Sequence, residues 1–442
     1  MNQIAKSLKS INYRLFLAIF VLMVFPTIYQ TVRIYFIGTM PDDWGFNIAS
    51  QLSWVNLFYE VIQEALILPL FFVFGKSLDN NEEFENKAQS SFLITGTVYL
   101  AVSLLLIIFA RPLVVFMAQD KTLIGATVNY IRLETIAALL STLSKFMLAI
   151  LVTLKKDNYM YITLLVQAVL SISLDTFLIS SFNFSLKMGV NGIAIANIIV
   201  NFLNVLICIF LLSKEHINVL NCKKTSFAWT NEWFNVGKYS GIESLIRNFV
   251  FMIMIIRMVN LVAEQGSYWV ANNFIWQWLL LPALALHDLI KKDAAEDINS
   301  IQTKTLGYIV LTTIFTVLWL VSIPLWKPFL KYIMNANDYQ TVYHIVIIQT
   351  VFYITFMYNK ICDSTFYGLG RTDYMLIQSI CIDVVYYGIA FILYLRGIFV
   401  PSLVSISMMF GIGMTLDFIP TAILYFRLLK KMNMKIFVIE IM

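Results

Sequence analysis

Charge is scarce in this sequence: Asp, Glu, Lys and Arg together make up 13% of its 442 residues. Soluble chains carry about 25%, and a large soluble helical protein needs polar outer faces that this composition does not supply. Histidine and cysteine are scarcer still, with 3 and 4 residues. His216, His287 and His344 are far apart and read as isolated polar residues near helix ends. Cys208, Cys222, Cys362 and Cys381 lack both close pairing and metal-ligand spacing, so they read as free thiols, and no metal site is expected. The chain has no HExxH, no GxSxG and no clustered aspartate pair, which argues against an intramembrane enzyme. It has no TVGYG-type filter either, which argues against a channel. No secretory signal peptide is evident, because the first apolar run is long enough to span a membrane.

What the sequence has in quantity is apolar surface. Hydrophobic residues make up 60% of it, with 35 Phe, 22 Tyr and 9 Trp, and mean hydropathy is +0.78. A membrane span takes about 20 apolar residues. Twelve stretches qualify: 15–38, 48–75, 91–110, 131–154, 161–180, 190–212, 237–262, 268–290, 306–324, 343–366, 375–396 and 403–427. With the N-terminus placed in the cytoplasm, the inner segments carry 19 Lys/Arg and the outer ones 7, namely Arg111, Lys121, Arg132, Lys187, Lys327, Lys331 and Arg396. That asymmetry orients the chain with both termini inside. It also accounts for most of the net charge of +5 without a nucleic-acid partner.

The chain also echoes itself. Lys145, Lys156 and Asn158-Tyr159-Met160 are matched at a constant offset of 215 by Lys360, Arg371 and Asp373-Tyr374-Met375. Leu68-Pro69 is matched by Leu281-Pro282 at an offset of 213. The basic connection 213–236, which contains Lys223 and Lys224, divides the sequence almost equally. The expected architecture is all-α and polytopic: two pseudo-symmetric six-helix lobes, 1–212 and 237–442, joined by a cytoplasmic linker.

Several motifs resemble the multidrug and toxic compound extrusion (MATE) family. Leu174-Asp175, followed by Gly189-Val190-Asn191-Gly192-Ile193-Ala194-Ile195-Ala196-Asn197, is similar to the family's helix-five "LD" and the "GVxGAAxA" that opens helix six. Gly368-Leu369-Gly370-Arg371-Thr372 resembles its "GAGRT" turn, and Phe36-Ile37-Gly38 the "FVG" that closes its first helix. The resemblance implies a two-lobe secondary transporter that exports organic compounds by alternating access against inward H⁺ or Na⁺. The departures are specific. Arg33 stands where the family often has a carboxylate, and Ser171 stands for an asparagine one turn before Asp175. Arg247 and Asn248 lie where an acidic residue of helix seven is often found.

Charges inside spans are costly and usually face a partner or a cavity. In the first lobe these are Arg33, Glu60, Glu64, Lys145 and Asp175, the candidates for substrate binding and ion coupling. Arg257, Lys360, Asp363, Asp383 and Asp417 are the second-lobe cavity candidates. Glu243 with Arg247, and Lys360 with Asp363, have the spacing of local pairs. The family alignment suggests Arg33 with Asp175, a pairing that holds the aspartate ionised and makes it a poor proton carrier. Glu60 and Glu64, one turn apart, are then the coupling candidates. The expected partners are the bilayer and a small organic or amphipathic substrate; the expected cofactor is none beyond a coupling ion, and the expected state is a monomer in the cell membrane. The rival reading is a flippase for a lipid-linked oligosaccharide or another anionic lipid carrier, in which the intramembrane basic residues would meet a pyrophosphate.

Overall fold

The computed structural model describes residues 2–40, 44–78, 80–221 and 225–434. Cys222, Lys223 and Lys224 and the C-terminal residues through Met442 lie outside the described residues. Among those described the regular structure is entirely helical. A short α1 (Asn2–Lys9) precedes α2 (Tyr13–Gly38), α3 (Trp44–Gly75) and α4 (Asn81–Ile108). Then come α5 (Ala110–Phe116), α6 (Ile124–Thr153), α7 (Asp157–Leu178) and α8 (Gly189–Lys214). The second half holds α9 (230–261), α10 (265–296), α11 (Ser300–Ile333), α12 (Tyr339–Gly368), α13 (Thr372–Leu395) and α14 (Leu403–Lys431). Runs this apolar fold as helices because lipid offers the backbone no hydrogen bonds, so each N–H must be satisfied within its own segment.

Ten of these helices are long and apolar enough to cross a membrane, and the protein is a multi-pass membrane protein. The two remaining expected spans, 237–262 and 268–290, fall in α9 and α10. These carry charges and amides (Glu243, Arg247, Arg257, Asn272, Gln277) and are interrupted by π-helical segments. The topological expectation has a direct check: alkaline phosphatase fused after Met442 is expected to be inactive, and strong activity would require an odd span count or the opposite orientation.

The turns repeat as the sequence does. Helices α6 and α12 are both 30 residues long, with Lys145 and Lys360 at the same place in each. The turn after α6 uses Lys155 at φ 60°, and the turn after α12 uses Gly370 at φ 67°. Only the glycine adopts that left-handed conformation without a steric cost.

By packing, the chain divides into two compact units. One is Ile28–Gly266; the other joins the residues up to Thr27 to those from Ser267 onward. The repeat reading places its boundary in 213–236, so packing units and sequence repeats divide the chain differently. The first crossing between units comes one residue after Pro26, which lies inside α2 and has no N–H for the helix ladder.

The reason α9 packs with the first-half helices is visible in α3. There a π-helical segment, Gln63–Ile67, runs into Leu68-Pro69. In α10, Ile275–Leu279 leads to Leu281-Pro282 in the same way. A π ladder pairs each carbonyl with the N–H five residues on, and for Glu64 and Gln277 that residue is a proline. Each of these carbonyls receives a hydroxyl from the first long helix of the opposite half. Ser240 Oγ of α9 donates to the Glu64 carbonyl at 2.9 Å, and Thr27 Oγ1 of α2 shares its proton between the Gln277 carbonyl at 3.3 Å and the Met23 carbonyl of its own helix at 3.0 Å. Donors and acceptors alike are 213 positions apart. The Leu66 and Leu279 carbonyls share that offset, and they accept the indole N–H groups of Trp233 and Trp319.

The α3–α9 crossing is close because its α9 face is glycine. A Cβ added at Gly237 would stand 2.1 Å from the Ala65 carbonyl oxygen, and one at Gly241 would stand 2.7 Å from Ala65 Cβ. Small residues four apart let helix backbones approach in this way. Gly237→Ala is expected to cost about 1–3 kcal/mol, the usual range for overpacking. It should lower the melting temperature in detergent, and an unchanged Tm would contradict the close approach.

Candidate functional site

A buried group of charged residues in the Ile28–Gly266 unit gathers on four helices. Arg33 lies five residues before the end of α2, and Asp175 three residues before the end of α7. Arg33 Nε meets Asp175 Oδ2 at 2.8 Å, and its Nη2 meets Oδ1 at 3.1 Å. The two side chains are 8% and 1% exposed, so this is a buried bidentate pair. Such a fork match is the strongest geometry open to arginine and a carboxylate. Ser171, one turn before Asp175, is also buried.

Glu134 of α6 joins this pair, and the sequence reading did not single it out. It is 3% exposed. Asn197 Nδ2, on α8, donates to its two carboxylate oxygens at 2.9 and 3.1 Å, and the Tyr130 hydroxyl donates as well. The Arg33 and Asp175 charges both act on it. Arg33 therefore faces two carboxylates and closes its bidentate contact with only one. With both carboxylates ionised the group has one negative charge more than Arg33 balances, and neutral donors hold Glu134.

The other first-lobe candidates lie elsewhere. Glu60 of α3 accepts from Arg247 Nη1 of α9 at 3.0 Å, and Glu243 accepts from Arg247 Nε at 3.0 Å. Arg247 thus holds two carboxylates, and its side chain and that of Glu60 are both about two-fifths exposed. Glu64 is in the π-helical segment of α3, and its backbone carbonyl takes the Ser240 hydroxyl. Lys145 of α6 is exposed, and Glu60 is the charge acting on it. The structure brings Arg33 to Asp175 and Glu60 to Arg247; it does not gather all five charges into one cluster. Arg257, read from the sequence with the second lobe, packs in the Ile28–Gly266 unit. There its Nε donates to the Phe116 carbonyl at 2.7 Å and its guanidinium sits 5.2 Å from the Phe116 ring centre.

In the other unit, Lys360 Nζ meets Asp363 Oδ2 at 2.8 Å, and Gln378 Nε2 donates to Asp363 Oδ1 at 2.9 Å. Gln378 also donates to Thr421. Asn359 Nδ2 donates to Asp417 Oδ2 at 2.7 Å. Asp383 lies in the π-helical segment of α13 and acts electrostatically on Asp417, as do Asp363 and Lys360. His287 is not a helix-end residue as expected. It is buried within α10, with Nε2 3.1 Å from the Met357 carbonyl oxygen. Among the described residues, no three His, Cys, Asp or Glu side chains are grouped to hold a metal ion.

The described residues form a polytopic helical membrane protein with ion pairs buried between its helices. Its fold is that of solved MATE family transporters of the MOP superfamily. A multidrug-resistance MATE family transporter in its inward-facing conformation matches with TM-score 0.77 and 15% identity, over 92% of this chain and 95% of that one. A MOP superfamily transporter from Pyrococcus furiosus matches with TM-score 0.71 and 15% identity, over 98% and 99%. A Vibrio cholerae MATE transporter matches with TM-score 0.68 and 15% identity, over 97% and 98%. No protein-family profile and no curated protein matches the sequence.

Proposed function

We propose that the protein is a secondary active transporter that exports organic compounds by alternating access, driven by protons through Glu134. The observation that carries this reading is the surplus carboxylate: Glu134 stands buried beside an Arg33–Asp175 pair that is already complete. An unbalanced charge inside a membrane protein is expensive, and one proton on Glu134 removes it. Asn197 and Tyr130 hold the carboxylate in place in either state. Arg33 takes the position where the family often has a second carboxylate, acting as a fixed cation that keeps Asp175 occupied. Alternating access needs joints between the compact units. The chain supplies two, at Pro26 in α2 and at the turn after α9, where Ala263 has φ 58°.

Proteoliposomes carrying a proton gradient or a sodium gradient, imposed separately, test the reading with an organic cation such as ethidium as probe. Uptake driven by the proton gradient alone is expected. Uptake driven only by sodium would overturn proton coupling, and no uptake under either gradient would overturn export of this class of compound.

Lys145 supports a second reading. It is an exposed lysine on a membrane helix, suited to an anionic lipid-carrier head group. The Pyrococcus furiosus neighbour is described as having a binding pocket of reverse polarity that suggests a different function. Translocation of a fluorescent lipid diphosphate, abolished by Lys145→Gln, would favour the flippase.

A further inference from the structure

Helices α6 and α8 lie side by side and run the same way. Glu134 meets Asn197 at one level, and further along Cys208 Sγ donates to the Ser144 carbonyl at 3.9 Å. Between these contacts α6 advances ten residues and α8 eleven, so the numbering rises together on both helices. Glu134, Ala138, Ser141 and Lys145 share one face of α6, and Asn197, Asn201, Asn204 and Cys208 share one face of α8, at the same helical spacing. The two contacts set a register in which Asn201 falls opposite Ala138 and Asn204 opposite Ser141.

This seam joins a buried carboxylate to an exposed end of the helix pair. Glu134 is 3% exposed, Ser141 and Asn201 are half-buried, and Lys145 is exposed. Lys145 stands about 16 Å beyond Glu134 along α6. Glu60, itself two-fifths exposed, is the charge acting on it. Asn204 supplies an independent observation. It is 2% exposed, and its Oδ1 has no hydrogen-bond partner among the described residues. A buried carbonyl left without a partner costs free energy, and inside proteins such groups are met by ordered water. The small side chains of Ala137, Ala138 and Ser141 leave room for it on the facing helix.

We propose that waters bound along the α6–α8 seam carry protons between Glu134 and the exposed end at Lys145, with Asn204 as the positioning residue of that path. The proposal rests on Glu134 being the proton site. A proton enters from bulk water beside Lys145 and Glu60 and passes from one water to the next. The last water gives it to a Glu134 carboxylate oxygen, and release runs the same steps backward. Asn204 takes no proton: its Oδ1 accepts a hydrogen bond from one water and fixes it between its neighbours. The titratable and charged groups that face Glu134 are Tyr130, one turn before it on α6, Arg33 on α2 and Asp175 on α7. The turns of the seam from Glu134 to Asn204 carry no other.

Infrared difference spectroscopy of the full-length protein in lipid, following the protonated-carboxyl band after a pH jump, tests the path. The Glu134 band is assigned by its loss in Glu134→Gln. Asn204→Leu is expected to slow the rise of that band at least roughly tenfold and to leave its midpoint pH unchanged, because the water is displaced while the contacts of the carboxylate stay. Asn201→Leu should slow it as well, and Asn204→Ser, whose hydroxyl can hold the water, should restore most of the rate. An unchanged rate in both leucine variants would overturn the path. So would a midpoint that moves together with the rate, since Asn204 would then act on the carboxylate itself. Asparagines that only bind the two helices to each other would lower the melting temperature and leave the rate alone, which also refutes the path. The absence of any band lost in Glu134→Gln would overturn the proton site, and the path with it. A Glu134 band with wild-type kinetics in both leucine variants would overturn the path alone.

Discussion

Glu134→Gln is expected to abolish accumulation driven by a proton gradient while leaving a folded protein that still equilibrates its substrate. Glutamine keeps the shape of the protonated acid and can still accept from Asn197 and Tyr130, so the packing of α6 against α8 has no reason to change. What disappears is the surplus charge. A ligand shifts a conformational equilibrium only by its differential affinity for the two states, and a residue fixed in its neutral form offers a proton no such difference. Proton-gradient accumulation in proteoliposomes should therefore fall to the level seen without a gradient, while downhill counterflow persists. The control is Glu60→Gln. Its carboxylate is one of two held by Arg247, and the other, Glu243, remains. Coupling should survive there. Loss of coupling in Glu60→Gln with normal coupling in Glu134→Gln would move the proton site to α3.

The second large effect is on stability. Asp175→Asn removes the bidentate partner of Arg33 and leaves a guanidinium 8% exposed between membrane helices. Breaking a buried pair by removing one member costs about 3–5 kcal/mol, because the remaining charge is stranded. Glu134 softens that cost by attracting Arg33, but it cannot reproduce the fork contact while Asn197 holds it. Expression and detergent melting temperature should both drop. Replacing both members, Arg33→Leu with Asp175→Leu, should recover much of the loss, since buried pairs exchanged for apolar residues are often neutral or better. The measured quantity is the coupling energy of the double-mutant cycle. Additive losses in the double variant would show that the two residues act independently.

The fold was legible because lipid imposes one rule on every segment: each apolar run of about 20 residues becomes a helix. The same rule explains where the reading was least complete. Helices α9 and α10 carry charges and amides that lower their hydropathy, and their π-helical segments shift the faces on which those residues appear. Ion pairs at local spacing, Glu243 with Arg247 and Lys360 with Asp363, follow from helical periodicity and are present. The Arg33–Asp175 contact was suggested by motif resemblance alone, since nothing in spacing links residues 142 positions apart. Glu134 escaped for a physical reason. The apolar run begins near residue 131, which makes Glu134 look interfacial, whereas the helix begins at Ile124 and holds it about 15 Å inside. Its partner Asn197 closed a motif already visible in the sequence, and that motif was the available signal.

The exchange of Thr27 and Ser240 bears on the origin of the chain. Each hydroxyl reaches a carbonyl in the opposite repeat, and the two contacts map onto one another under a single shift of the sequence. A contact in which site i meets j and j meets i is the signature of a two-fold homodimer. A half-length ancestor assembled as a pair would have made both bonds between separate subunits, each lending its leading helix to its twin. In the single chain both contacts lie within one fold, and each proline interruption is met by a hydroxyl from the other half of the sequence.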